Sequence, residues 1–202
     1  MAISADPLNM VICGVGGQGN ILLSGMLGSA YIKKGFYATI GETFGAAQRG
    51  GAVFSAIRVS QKREYGPLIP EGKAHLIVGL EPLETLRLAH KYANADTVCI
   101  SNVYPVTPAG VAAARETYPD IDEAKKALSE VCAQTWFLDA TSIALDLGAP
   151  IAMNIVMVGA LLGTGQLSLT EEDIKAELRE SLPPDRLELN FNALSRGMKA
   201  VA

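Results

Sequence analysis

The stretch that decides the fold is Val11-Ile12-Cys13-Gly14-Val15-Gly16-Gly17-Gln18-Gly19, followed directly by Asn20-Ile21-Leu22-Leu23. The apolar residues at its start predict a buried strand, and its glycines predict a tight turn. The apolar residues that follow the glycines predict a helix. Backbone N–H groups converge where such a helix begins, and the helix's positive end favours an anion, typically a phosphate. We therefore expect this turn to bind the anionic part of a cofactor through Gly14, Gly16, Gly17, Gln18 and Gly19.

A second glycine-rich loop outlines the other side of the expected site. It reads Gly41-Glu42-Thr43-Phe44-Gly45-Ala46-Ala47-Gln48-Arg49-Gly50-Gly51 and follows the next strand-like segment. Loops after successive parallel strands gather at the carboxyl edge of a sheet, so we expect the two loops to meet. An arginine there can hold a carboxylate or phosphate, or clamp its own loop. The expected binding residues of this loop are Glu42, Gln48, Arg49, Gly50 and Gly51.

The rest of the chain alternates strands with helices. This pattern predicts an α/β fold: a single three-layer α/β/α domain over residues 1–202, with a mostly parallel, mixed sheet and a Rossmann-like first turn. Segment 52–60 predicts one antiparallel strand after a hairpin-like turn. The other predicted strands are 10–15, 36–41, 75–80, 97–101 and 136–140. The predicted helices are 19–34, 82–92, 122–132, a short one capped by Thr141, 154–163, 171–182 with a Thr170–Asp173 capping box, and 187–201.

Three polar residues keep two interpretations each, and His75 has one preferred interpretation. Gln18 either caps the first helix or donates to a ligand. Asn154 either caps the helix that it begins or contributes to binding, and Asp139 either faces the carboxyl edge or caps a helix. His75 opens a strand, where a structural role is the better expectation.

Composition excludes several classes of protein. The chain has 202 residues, of which 49% are hydrophobic and 19% charged, an ordinary globular balance. The net charge of −4, without a basic run, argues against a nucleic-acid partner. Three scattered cysteines and two histidines exclude a metal or iron–sulfur site built from this chain alone. We expect a cytoplasmic protein without a signal peptide, and the longest apolar run is too short to span a membrane.

Catalytic groups are scarce. The two histidines lie on unrelated elements, so the sequence offers neither a Ser–His–Asp nor a Cys–His set. Gly14, Gly16 and Gly19 match the dinucleotide fingerprint, with Glu42 placed to bind a ribose hydroxyl. Against a nicotinamide or flavin enzyme, Glu42 is followed by a loop and a hairpin strand instead of a crossover helix. The catalytic residues are unknown at this level.

Several separate motifs add a family resemblance. Together they resemble, almost end to end, the gamma-type domain of 2-oxoacid:ferredoxin oxidoreductases, above all the small (beta) subunits of the indolepyruvate type. The motifs are the two glycine loops, Tyr65-Gly66-Pro67-Leu68-Ile69-Pro70-Glu71-Gly72, Glu81-Pro82-Leu83-Glu84, Asn154 with Gly159-Ala160-Leu161, and Leu187-Glu188-Leu189-Asn190.

This resemblance implies a subunit that is inactive alone. Such enzymes oxidatively decarboxylate a 2-oxo acid, here an indolepyruvate or other arylpyruvate, form an acyl-coenzyme A and reduce ferredoxin. Thiamine diphosphate and the iron–sulfur clusters belong to a larger partner subunit, and the gamma-type domain is associated with coenzyme A handling and subunit packing. Phe44 stands where this subunit type often carries His, and His75 where an Asp is common. Homodimerisation of the isolated chain is left open.

Two other classes stay open. A free-standing NAD- or FAD-dependent oxidoreductase is supported by the fingerprint and Glu42. A non-catalytic scaffold subunit is supported by the missing catalytic groups and by the small residues of the segment 154–163.

Overall fold

The computed structural model describes residues 3–44, 51–106 and 118–201. Within these ranges six strands form one sheet, and seven helices cover it. The strands are β1 (Leu8–Val15), β2 (Tyr37–Phe44), β3 (Ala52–Ser60), β4 (Leu76–Gly79), β5 (Val98–Asn102) and β6 (Gln134–Leu138). The helices are α1 (Asn20–Lys33), α2 (Pro82–Tyr92), α3 (Ile121–Val131), α4 (Ala140–Asp146), α5 (Met153–Gly163), α6 (Glu171–Ser181) and α7 (Pro184–Lys199), with a 3-10 turn, Pro150–Ala152, before α5.

The sheet is mixed because β3 runs against both of its neighbours. The strand order is β2-β3-β1-β4-β5-β6. β3 pairs antiparallel with β1 and β2, whereas the β1–β4, β4–β5 and β5–β6 pairs are parallel. The predicted α/β fold, the mixed sheet and the antiparallel strand 52–60 are therefore confirmed.

Each face of the sheet has its own buried core, because side chains alternate along every strand. In β1, Met10 and Ile12 pack with α1 and α5, while Val11 and Cys13 pack with α2 and α3. All eight residues of β1 are buried, as is typical of a central strand covered on both sides. The three predicted layers are thus helices, sheet and helices.

Helix α5 lies inside the first of these cores. Every residue from Met153 to Leu162 is buried. A Cβ on Gly159 would lie 2.0 Å from the carbonyl oxygen of Leu194, and one on Gly197 would lie 2.0 Å from that of Val156. The backbones of α5 and α7 therefore touch where any side chain would collide. The predicted close approach is confirmed, and it is made within this chain.

Helix starts are the least accurate part of the sequence prediction. Asp139, and not Thr141, caps α4, since its carboxylate accepts hydrogen bonds from the first turn. The last helix begins at Pro184, because proline suits a first helical position, and not at Leu187. The predicted Thr170–Asp173 capping box is confirmed at α6. None of the helices in the described ranges is long and apolar enough to cross a bilayer.

The loop 65–72 covers part of the sheet on the side where α2 packs. It lies there over the region of β3, which no described helix covers on that side. Ile69 is buried in the core that contains Val11 and Ile77. Arg58 of β3 holds the loop by donating to the carbonyl oxygens of Gly66 and Leu68, at 3.0 and 3.1 Å. The segment 65–72, which is rich in proline and glycine, thus covers the core on the α2 side of the sheet.

Candidate functional site

The two glycine loops meet at the carboxyl edge, where β1 and β2 end and β3 begins. In the sheet register Val15 of β1 lies opposite Ala52 of β3. The N–H of Gly16 donates to the carbonyl oxygen of Gly51 at 2.8 Å. The predicted meeting of the loops is confirmed at Gly51. Gln48, Arg49 and Gly50 lie outside the described residues.

The glycine turn needs glycine for two different physical reasons. Gly17 and Gly19 have φ values of +107° and +91°, a backbone region that side chains rarely adopt. Gly14 instead lacks space, because a Cβ there would lie 2.6 Å from Oε1 of Gln18. The turn is therefore a tightly packed backbone path from β1 into α1.

Gln18 does not cap α1, so that interpretation is wrong, while its contact with a ligand stays a prediction. Its Oε1 accepts from the N–H of Val15 at 2.8 Å, and its Nε2 donates to the carbonyl oxygen of Leu80 at 3.1 Å. The side chain thus joins the turn to the end of β4. Gln18 is a residue that positions the glycine turn.

Fewer turn N–H groups face outward than we expected. The N–H of Gly16 is bonded to Gly51, and the N–H of Gln18 donates to the carbonyl oxygen of Val15 at 3.1 Å. The N–H groups of Gly17 and of the first turn of α1 make no hydrogen bond to another described residue. Of the predicted turn residues, Gly17 therefore keeps an N–H that can bind an anion, and the start of α1 adds further ones.

Two helix N-termini converge beside this turn without capping side chains. Gly19 is the N-cap of α1 and Ala152 that of α5, and neither provides a side-chain hydrogen bond. By contrast, α2, α3, α4 and α6 are capped by Glu81, Asp120, Asp139 and Thr170. Both open ends carry the partial positive charge of a helix N-terminus.

Asn154 joins these two ends. It lies in the first turn of α5, so the interpretation as an N-cap is wrong. Its residue is only 4% exposed, and its side chain makes no hydrogen bond to another described residue. Its Nδ2 lies 2.3 Å from the position a Cβ would take on Gly19. An amide that makes no hydrogen bond within the described part of the chain and lies beside the start of α1 is available to donate to a bound group.

A cavity of about 650 Å³ opens next to the turn. This volume lies within the usual range for small-molecule sites. Ile21 and Leu22 are 50% and 45% exposed at its rim, and Nδ2 of Asn20 fixes the wall by donating to the carbonyl oxygen of Val53 at 3.0 Å. The described lining carries no charged side chain and consists of Gly16, Gly17, Gly19, Asn20, Ile21, Leu22 and Val53.

Four of these lining residues were missed by sequence reasoning. Asn20, Ile21 and Leu22 follow the glycines directly, so exposed apolar side chains at a helix start could have signalled them. Val53 could not have been found, because only the antiparallel register of β3 brings it beside Gly14.

Glu42 is placed unfavourably for a dinucleotide site. It lies on β2 opposite Ser55 of β3, so β3 separates it from β1. Two strand spacings of about 4.8 Å put it roughly 10 Å from β1. The dinucleotide fingerprint needs its acidic residue on the strand next to the first one. Glu42 is exposed and is absent from the cavity lining.

Buried polar groups also connect the ends of β4, β5 and β6. Nδ2 of Asn102 donates to the carbonyl oxygen of Leu80 and to Oγ1 of Thr141, at 3.1 and 3.0 Å, and its Oδ1 accepts from the N–H of Ala140. Glu81, directly after Leu80, is fully buried. Burial raises the pKa of Glu81, while hydrogen bonds oppose this rise. Neither Asn102 nor Glu81 was among the predicted site residues.

The titratable residues elsewhere are structural. Cys13, Cys99 and Cys132 are free, buried thiols in the core on the α2 side, and burial raises the pKa of Cys13. Nδ1 of His75 accepts from the N–H of Asn9 at 2.9 Å, and burial lowers the pKa of His75. Among the described residues there is no group of three or more potential ligands placed to hold a metal ion.

Comparison with known proteins assigns the chain to a family. Residues 9–200 match the family of pyruvate ferredoxin/flavodoxin oxidoreductases. The indolepyruvate oxidoreductase subunit IorB of Thermococcus kodakarensis is 37% identical over 193 residues, which cover 95% of each chain. The gamma subunit of the NADH-dependent phenylglyoxylate dehydrogenase of Aromatoleum evansii is 32% identical, over 94% of this chain and 91% of that one.

Solved structures share the fold. The pyruvate oxidoreductase subunit PORC of Thermotoga maritima superposes with a TM-score of 0.72 at 21% identity, covering 96% of this chain and 97% of that one. The 2-oxoglutarate:ferredoxin oxidoreductase of Magnetococcus marinus, solved with 2-oxoglutarate, coenzyme A and succinyl-CoA, has a TM-score of 0.77 at 18% identity. That match covers 98% of this chain but 31% of the other. The present chain belongs to the pyruvate ferredoxin/flavodoxin oxidoreductase family, as a small subunit of a 2-oxoacid:ferredoxin oxidoreductase.

Proposed function

We propose that this chain works with a larger subunit, which carries thiamine diphosphate and iron–sulfur clusters, in the oxidative decarboxylation of an aromatic 2-oxo acid. The product is an acyl-coenzyme A, and the electrons pass to ferredoxin. The substrate class is supported by two relatives, one named for indolepyruvate and the other for phenylglyoxylate, both 2-oxo acids with an aromatic group. Both matches span more than nine tenths of each chain.

We propose further that the glycine turn holds a phosphate of coenzyme A. The observation that carries this proposal is the side-chain amide of Asn154, which lies beside Gly19 at the uncapped start of α1 and makes no hydrogen bond to another described residue. Backbone N–H groups at a helix start together with an amide donor form a suitable environment for an anion. The apolar cavity beside it suits the uncharged part of the molecule.

In this proposal the residues of the site have distinct tasks. The N–H of Gly17 and Nδ2 of Asn154 donate to the anion, and Gly19 leaves room for that amide. Gln18 and Gly51 hold the turn in place through their hydrogen bonds. Gln48, Arg49 and Gly50 remain proposed contacts on the basis of sequence, with Arg49 as the cation. When bound, coenzyme A supplies the thiol that accepts the acyl group.

The two alternatives have different support. A free-standing NAD- or FAD-dependent oxidoreductase is disfavoured, because β3 separates Glu42 from β1. A subunit with only a packing role is favoured by exposed apolar side chains such as Ile151, which is 86% exposed, and Ile21. We place the assembly in the reducing cytoplasm, in keeping with three free thiols.

Reconstitution tests the proposed function. The chain is coexpressed with the larger subunit of the same source, and the complex is assayed with indolepyruvate, phenylglyoxylate and pyruvate, using ferredoxin and NAD⁺ as separate acceptors. We expect turnover of aromatic substrates with ferredoxin, and none by the isolated chain. Substantial ferredoxin reduction by the isolated chain would contradict the subunit function.

Calorimetric titration of the complex with coenzyme A and NADH tests the ligand. We expect binding of coenzyme A that weakens in Asn154→Asp, since a carboxylate repels an anion. Binding of NADH alone, abolished by Glu42→Ala, would overturn the coenzyme A site in favour of a dinucleotide site. Binding of neither ligand would leave the packing role.

A further inference from the structure

Glu81 is a buried carboxylate at the junction between β4 and α2. It is fully buried and is the N-cap of α2, where its Oε2 accepts from the N–H of Glu84 at 2.8 Å. An N-cap role is satisfied by Asp, Asn, Ser or Thr at least as well. A longer acidic side chain that is buried at such a position therefore points to a second partner.

The second partner is the connection between β5 and α3. Oε1 of Glu81 accepts from the hydroxyl of Tyr118, and the backbone of Val106 lies close enough to the carboxylate to favour its charged form. Residues 107–117, between these two, lie outside the described residues. Glu81 thus faces the connection at both of its described ends.

The same junction holds the glycine turn. Leu80, the residue before Glu81, accepts at its carbonyl oxygen from Nε2 of Gln18 and from Nδ2 of Asn102. Two consecutive residues of one backbone therefore fix the turn through Leu80 and the β5–α3 connection through Glu81. A displacement at Glu81 is transmitted to Gln18 across a single residue.

The electrostatics of the group agree with this arrangement. Burial raises the pKa of Glu81, and hydrogen bonds from Tyr118, Glu84, Val106 and Leu83 oppose the rise. Burial and the neighbouring Glu81 carboxylate raise the pKa of Tyr118, so its hydroxyl keeps its proton and stays a donor. The N–H of Glu84 and the hydroxyl of Tyr118 both donate to Glu81, as a buried carboxylate requires.

We propose that Glu81 is a positioning residue, which fastens Val106 and Tyr118 to the β4–α2 junction and thereby holds the carboxyl edge in the form that binds coenzyme A. The ligand part of this inference rests on the proposed function. The attachment of Val106 and Tyr118 to Glu81 does not rest on the proposed function, and it is measured separately.

Three variants separate fastening from helix capping. Glu81→Asp keeps a good N-cap for α2 but shortens the side chain, so it loses Tyr118 and Val106. Glu81→Gln keeps the length but presents an amide NH₂ to a group of donors. Tyr118→Phe removes one donor and leaves the cap untouched. Thr170→Ala is the control, since it removes the N-cap of α6 near the opposite edge, where Asp173 pairs with Lys34.

Amide hydrogen exchange measures the fastening. In the purified complex we expect the Val106 amide to exchange about tenfold faster in Glu81→Asp and Glu81→Gln, because a hydrogen bond to a charged group is lost. Tyr118→Phe should give a smaller increase in the same region, and Thr170→Ala none. Unchanged exchange of residues 103–106 in Glu81→Asp and in Tyr118→Phe would overturn the proposal.

Steady-state kinetics at varied coenzyme A concentration measure the effect of Glu81 on the ligand site. We expect the KM for coenzyme A to rise about tenfold in Glu81→Asp, with the Tm within a few degrees of wild type. A lowered Tm with unchanged KM would assign Glu81 to helix capping alone and overturn the positioning role. If the wild-type complex does not bind coenzyme A, the proposed function fails, and the exchange experiment alone decides whether Glu81 fastens the connection.

Discussion

The two ends of α1 are built in opposite ways. At its N-terminus Gly19 provides no side-chain cap, and the first turn has no acidic residue. At its C-terminus Nζ of Lys33 lies 2.7 Å from carboxylate oxygens of Glu177 and Glu180, and Nζ of Lys34 lies 2.7 Å from Asp173. The charged side chains at the C-terminal end are thus paired within the protein, while the N-terminal end has no side-chain partner among the described residues. Within this one helix, the C-terminal end contributes to stability and the N-terminal end is available for binding.

The same difference distinguishes the two edges of the sheet. Near the amino edge, the capping box of α6 and the His75–Asn9 hydrogen bond satisfy polar groups internally. Around the glycine turn at the carboxyl edge, Asn154 makes no hydrogen bond to another described residue, and Ile21 at the cavity rim is half exposed. We therefore expect substitutions at the carboxyl edge to change ligand binding, and those near the amino edge to change stability.

The largest effect is expected from Arg49→Ala at the carboxyl edge. Loss of a charge-assisted contact to an anion costs about 1.5–3 kcal/mol, which lowers the turnover of the complex roughly ten- to a hundredfold. Arg63→Ala, which removes an exposed arginine from the loop after β3, is the matched control and should retain activity. If Arg49→Ala instead lowers the Tm while activity per folded complex is kept, Arg49 clamps its own loop.

A pair of glycine variants sharpens the contrast between the two ends of α1. Gly19→Ala and Gly35→Ala both place a side chain at positive φ, which costs about 1–2 kcal/mol. Only at Gly19 does the new Cβ collide, since Nδ2 of Asn154 lies 2.3 Å away, whereas nothing lies within 4 Å at Gly35. We expect similar losses of unfolding free energy from the strain, but a markedly weaker affinity for coenzyme A in Gly19→Ala only. Equal affinities in the two variants would contradict a binding role of Asn154.

At the other end of α1, Lys34→Met should affect stability alone. Removing its ion pair with Asp173 and its charge at the helix C-terminus should lower the free energy of unfolding by about 0.3–1 kcal/mol. Denaturant titration at low and high salt measures the loss, which should shrink as salt screens the charges. A change in the KM for coenzyme A would show that the two ends of α1 are coupled.

The smallest effect concerns pH and the amino edge. Burial lowers the pKa of His75 below its ordinary value of 6.5, so the folded state binds fewer protons there than the unfolded state. Stability from this group is present above pH 6.5 and is lost as the pH falls from there towards the lowered pKa. His75→Asn should flatten the Tm between pH 7 and 5, whereas His90→Asn on exposed helix surface should not. An unchanged pH profile in His75→Asn would show that burial of His75 is not the cause of the pH dependence.

Much of the fold follows from local signals in the sequence. Glycines between an apolar strand and an apolar helix predict the β1–α1 turn, and the spacing of Thr170 and Asp173 predicts a cap, because these features depend on residues three or four positions apart. Alternating apolar strands and helices likewise predict the layers. The family resemblance, carried by motifs in order along the chain, indicated the oxidoreductase subunit, which the family match over residues 9–200 confirms.

Only the tertiary structure decided which of those local signals form the site. It inserted β3 between β1 and β2, so that Val53 joined the glycine turn and Glu42 moved away from it. It gave Gln18 a partner on Leu80 and gave Asn154 none within the described ranges, although the sequence treats both as polar residues near helix starts. The physical reason is that a side chain's role depends on which distant backbone groups reach it, and strand order sets those contacts without leaving a local pattern in the sequence.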